Sequence, residues 1–143
     1  MEGGHGPGIL SAAVRAAAAL LSACVIVMAS GCSNADEESI RSETFAAGAT
    51  AEIVATEYRF DPGRLVINGP GRAARLRIVM ANRGTLAHNL HLRDGKRDLA
   101  VTPTFKPGEE RSLSASLVPG RYTLVCTVAD HEELGMTGKV EVR

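Results

Sequence analysis

The chain carries no excess charge of either sign: its 143 residues hold 16 Lys plus Arg against 16 Asp plus Glu. No basic stripe is available by count, so nucleic acid is not an expected partner. Helical periodicity is weak and no internal repeat is apparent. The main apolar run, residues 16–28, has 13 residues, short of the roughly 20 needed to cross a bilayer as a helix. Cysteine is scarce, with three in all at positions 24, 32 and 126.

That apolar run follows Arg15 and ends in small residues and a cysteine, the pattern of an export signal. The junction Ala29-Ser30-Gly31-Cys32 resembles a bacterial lipobox, in which the cysteine is lipid-modified and becomes the new N-terminus. A rival at Leu21-Ser22-Ala23-Cys24 leaves too short a hydrophobic region before it. Residues 1–31 are therefore expected to be a lipoprotein-type signal peptide. Residues 32–50, polar, acidic and small, are expected to be a flexible tether. The expected location is extracytoplasmic, with the chain lipid-anchored to the membrane through Cys32. If Cys24 leaves with the signal and Cys32 carries lipid, Cys126 has no disulfide partner in the exported domain. An occupied thiol, for instance one bound to metal, resolves that liability.

What is present from residue 51 to residue 143 is alternation. Leu76, Ile78 and Met80 alternate with Arg75, Arg77 and Val79, and Val54, Thr56, Tyr58 and Phe60 share one face of AEIVATEYRF. Short runs of the same kind recur at RLVI, HNLHL, RSLSASL, RYTLVC and KVEV. Turn signals such as Asp61-Pro62-Gly63, Asn82-Arg83-Gly84 and Pro119-Gly120 separate them. The pattern predicts one all-β domain, an antiparallel sandwich or barrel of about seven or eight short strands. Only residues 130–134 suggest a helical turn.

Strand alternation also assigns faces. Tyr122, Leu124 and Cys126 share the apolar face of RYTLVC, so the thiol stands at the core side of a strand end where a loop begins. Val140 and Val142 point inward on the next strand. The loop between, CTVADHEELGM, sets Cys126, His131 and Met136 at five-residue steps. By itself that spacing is a weak signal. In GTLAHNLHL, His88 shares the apolar face with Leu90, whereas His91 points the other way and is expected at solvent or an interface. His88 is thus the fourth candidate. Two imidazoles, a thiolate and a thioether select soft-ligand metals. A His-His-Cys set with a weak Met is the donor set of electron-transfer copper, and zinc gains little from a thioether.

At these residues the sequence resembles the cupredoxins, the plastocyanin and azurin superfamily. The similarity spans residues 50–143 and rests on GTLAHNLHL, PGRYTLV and CTVADHEELGM followed by TGKVEV. It implies a Greek-key cupredoxin fold holding one copper ion, with His88, Cys126 and His131 as strong ligands and Met136 as the axial one. It also implies that Asn89 braces the ligand loops by hydrogen bonds, with Thr127 as its counterpart. Ala129-Asp130 departs from the Pro-Gly that relatives often carry there.

The resemblance implies a one-electron carrier between redox proteins such as a cytochrome, oxidase or reductase, with no small-molecule substrate. The alternative is a copper-binding lipoprotein for storage, delivery or resistance. An enzyme is not expected, because only His91 remains for any further copper centre and no second cysteine stands between Cys126 and His131. Asp130, Glu132 and Glu133 form a candidate docking patch for a cationic redox partner.

Overall fold

The computed structural model describes residues 40–143. The expected signal peptide, Cys32 and the first part of the expected tether lie outside the described residues. Ten strands follow in order: β1 (Ser42–Ala46), β2 (Thr50–Thr56), β3 (Arg59–Asp61), β4 (Arg64–Asn68), β5 (Ala74–Asn82), β6 (His91–Asp94), β7 (Arg97–Val101), β8 (Glu110–Leu117), β9 (Gly120–Val125) and β10 (Thr137–Val142). They form a six-stranded sheet, β1-β4-β10-β9-β6-β7, and a four-stranded sheet, β3-β2-β5-β8. This is the all-β sandwich that the alternation predicts.

Three details differ from the sequence expectation. The sheets are mixed, because β1–β4, β4–β10 and β2–β5 pair in parallel. Alternation reports which face a residue occupies and not the direction of its neighbour, so it could not supply this. Second, folded structure begins inside the stretch read as a tether: β1 pairs with β4 and its Phe45 packs against the core. A single aromatic among polar neighbours gave little pattern to read.

Third, the inward residues of β2 are Ala51, Ile53 and Ala55, while Val54 faces out. The chain turns at Glu57 and Tyr58, where Tyr58 takes a φ of 41°, so Phe60 reaches the core from β3. Continuing one alternation through that turn puts the phase of β2 off by one residue.

β5 supplies the regular spine, with Ala74, Leu76, Ile78, Met80 and Asn82 buried and Arg75 and Arg77 exposed. Leu65 and Ile67 of β4, Leu92 of β6, Leu124 of β9 and Val140 of β10 meet it from the other sheet. Each fully buried Leu or Ile contributes roughly 1.5–3 kcal/mol of apolar transfer. The site depends on one row of this framework. Val125 at the end of β9 pairs with His91 at the start of β6 and with Thr137 at the start of β10. Cys126 therefore leaves β9, and Met136 enters β10, at the same end of the sheet that His88 approaches on its way into β6.

Candidate metal centre

Backbone pairing fixes each candidate ligand before its side chain is considered. His88 exchanges two backbone bonds with Phe105, at 3.1 and 2.9 Å. Leu90 is stitched to Thr102, donating to its hydroxyl at 3.0 Å and accepting from its N–H at 2.9 Å. The Cys126 N–H donates to the Met136 carbonyl at 3.2 Å, and the Met136 N–H donates to the His131 carbonyl at 2.9 Å. Between them the chain makes a single α-turn, Leu134 N–H to Asp130 carbonyl at 3.0 Å, where the sequence suggested a helical turn.

The side chains converge. His88, Cys126 and His131 are all buried and place their donor atoms together. The two imidazole Nδ1 atoms are 3.2 Å apart, and Cys126 Sγ lies 3.8 Å from His88 Nδ1 and 3.5 Å from His131 Nδ1. A point equidistant from these three atoms lies about 2.0 Å from each, as the sides of the triangle dictate. Metal–imidazole bonds of zinc take about 2.0–2.1 Å and metal–thiolate bonds about 2.3 Å. The donors thus fit a single ion, the sulfur needing only a slight outward move. Met136 is fully buried in the core cluster at the same loop end. His91 stands outside the triangle.

Electrostatics favour a neutral His88 imidazole. Burial, and next the adjacent His131, push the His88 pKa below its ordinary value, with Glu57 opposing weakly. Among the described residues His88 Nε2 is buried without a hydrogen-bond partner, and the ring turns Nδ1 toward His131 and Cys126. Tyr58 packs edge-on against the His131 ring at a centroid distance of 5.1 Å, and only 4% of His131 is exposed.

Asn89 and Thr127 are bonded to each other across the two loops. Asn89 Oδ1 accepts from the Thr127 N–H at 2.8 Å and its Nδ2 donates to Thr127 Oγ1 at 2.9 Å. Of the acidic trio, Asp130 and Glu133 are exposed, whereas Glu132 is engaged by Arg93 at 3.1 Å. Arg93 is shared with Asp98, so it offsets only part of the negative charge of Glu132.

Two supports escaped the sequence. Glu57 accepts from the N–H groups of Thr85 and Leu86, which lead into His88. These bonds hold its carboxyl down at about 2, against an ordinary 4.5. Gly84 makes room for it, since a Cβ there would approach the carboxylate to 2.5 Å. Asn82, fully buried, accepts from the Gly84 N–H at 3.0 Å and donates to the Leu86 carbonyl at 2.8 Å. The Asn82-Arg83-Gly84 turn signal contained that second support, because Asn side chains close turns on backbone two residues on. Nothing local marked Glu57.

No protein-family model and no curated protein matches the sequence. Solved structures do. Auracyanin from Roseiflexus castenholzii is 20% identical, with 68% of this chain and 98% of that one covered at a TM-score of 0.58. Azurin from Methylomonas sp. strain J is 16% identical over 68% of this chain and 99% of that one, TM-score 0.58. Rusticyanin from Thiobacillus ferrooxidans is 19% identical over 71% and 82%, TM-score 0.58. All are cupredoxins, and the chain shares their fold.

Two predictions follow from the loops. Ala129 holds a φ of 47°, a left-handed conformation that costs an L-residue roughly 1–2 kcal/mol. Ala129→Gly is expected to stabilise the metal-free protein by up to about 1 kcal/mol, read from the denaturant midpoint. The depressed Glu57 carboxyl stabilises the fold fully above pH 4.5, and that contribution is lost as pH falls toward about 2. Glu57→Gln should lower stability at neutral pH and flatten the acid side of the pH–stability curve.

Proposed function

We propose that the chain is a blue-copper protein that carries single electrons between redox proteins outside the cytoplasm. The observation that carries this reading is the buried triangle of two imidazole Nδ1 atoms and one thiol, with Met136 at the same loop end. Two nitrogens and a thiolate in a plane with a distant thioether are the donors that suit copper in both oxidation states. A copper ion held there would supply reversible one-electron chemistry between Cu(I) and Cu(II).

The protein's own residues do the rest. In this reading His88, Cys126 and His131 would hold the copper ion, with the Met136 thioether as the weaker fourth donor. Their positions are set by sheet register and by the Asn89–Thr127 pair, so little rearrangement accompanies a change of charge. Burial of Cys126 among Leu90, Leu124 and Met136 keeps water from the sulfur. His131 lies in the same surface loop as exposed Leu134 and is the side chain through which electrons would enter and leave. Exposed Asp130 and Glu133 steer a cationic partner, with Glu132 contributing less because Arg93 offsets part of its charge. The likeness of the fold to auracyanin A, a "blue" copper protein from Chloroflexus aurantiacus, supports the assignment.

The export signal and the Ala29-Ser30-Gly31-Cys32 junction support an extracytoplasmic protein anchored by lipid on Cys32. Cys32→Ser is expected to move the chain from the membrane fraction to the soluble one, and retention in the membrane would sink the anchor.

Titration of the purified domain with Cu(II) should give one equivalent of tight binding and an intense visible thiolate-to-copper absorption that bleaches on reduction and returns on oxidation. Cys126→Ser should abolish the colour. A colourless copper complex in the unsubstituted protein would exclude the electron-carrier reading and leave metal handling.

A further inference from the structure

We infer that His91, which is not among the converging donors, is a positioning residue for the metal centre. It fixes the Thr127 hydroxyl that braces the ligand loops, and Asp98 fixes it in turn. The metal-centre part of this inference rests on the copper reading above.

The directions of the hydrogen bonds follow from one unambiguous donor. The Thr127 backbone N–H can only donate, so the Asn89 atom 2.8 Å away is its oxygen. The other end of that amide is then NH2, which donates to Thr127 Oγ1 at 2.9 Å. The hydroxyl is thereby an acceptor, and its own proton needs a different partner. His91 Nε2 lies 3.2 Å away. If Nε2 accepts, the proton of the neutral ring sits on Nδ1, and Nδ1 faces the Asp98 carboxylate at 3.0 Å. Every donor meets an acceptor in a single arrangement, and only the Nδ1–H tautomer of His91 satisfies it.

The chain of contacts continues to the third ligand segment. Asp98 Oδ1 accepts from Arg93 Nε at 2.7 Å, and Arg93 Nη1 reaches the Glu132 carboxylate at 3.1 Å. Asn89, Thr127 and Glu132 each follow one of His88, Cys126 and His131 directly. The path Asn89–Thr127–His91–Asp98–Arg93–Glu132 therefore ties together all three segments that bear the converging donors. A merely solvated surface histidine would leave its ring nitrogens to water. Here the His91 side chain is 17% exposed and both nitrogens are engaged by protein.

The test compares His91→Phe, Asp98→Ala and the double variant. In the metal-free protein, amide exchange at Thr127 is expected to rise about three- to tenfold in His91→Phe, as the loss of one net hydrogen bond gives. The Ile78 amide in the other sheet should stay unchanged. In the copper-loaded protein, the thiolate-to-copper absorption should shift in both single variants, and the double variant should shift by less than their sum, because His91 and Asp98 share the Thr127 hydroxyl while Asp98 also anchors Arg93. Unchanged Thr127 exchange, an equal rise at Ile78, or fully additive spectral shifts would each overturn the inference. If the unsubstituted chain forms no coloured complex, the copper reading fails while amide exchange alone still decides whether His91 clamps Thr127.

Discussion

Everything at the candidate centre depends on Val125 pairing at once with His91 and Thr137. A backbone row of this kind costs no side-chain chemistry and places three chain segments within bonding reach. A one-residue slip of β9 would turn Cys126 from the core to the opposite face. The buried apolar set Tyr122, Leu124, Val140 and Val142 is what forbids that slip. The hydrophobic core thus acts on the site by fixing register, and the donors inherit their convergence from it.

A second tier of polar contacts then holds what the register brings together. The segment before His88 has almost no apolar anchor of its own, since Leu86 is exposed. Glu57 and Asn82 capture its backbone instead, one by a carboxylate and the other by an amide. The loop after Cys126 is tighter and has less freedom, as the left-handed backbone at Ala129 and at Gly135 shows. One loop is thus held from outside by side chains, and the other holds itself through its own turns.

Much of this was legible in the chain because it was written in local pattern. Leu124 and Cys126 alternate inward, the His88–Leu90 pair shares a face, and turn residues separate the strands, so the sandwich and the three converging residues could be read directly. Asn89 and Thr127 came from resemblance and bond each other across the two loops. What could not be read was non-local or weakly patterned. Glu57 serves a loop 28 residues away with no motif around it. β2 turns small alanines inward and a valine outward, which reverses the hydrophobic cue. Parallel pairing of β2 with β5 leaves no trace in either strand. Glu132 looked like free charge because its partner Arg93 lies 39 residues back on another strand.

The place of β10 in the larger sheet carries a consequence for assembly. It is the last strand in chain order among the described residues, yet it lies between β4 and β9, in the interior of the six-stranded sheet. A polypeptide that emerges from its N-terminus cannot close this sheet progressively, because the slot between β4 and β9 stays open until β10 arrives. β10 meets β9 as a local hairpin, but its parallel pairing with β4 is long-range and slow by comparison. Cys126 precedes β10 and its N–H bonds the Met136 carbonyl at the entrance to that strand, so docking of β10 also closes the loop that carries the thiol.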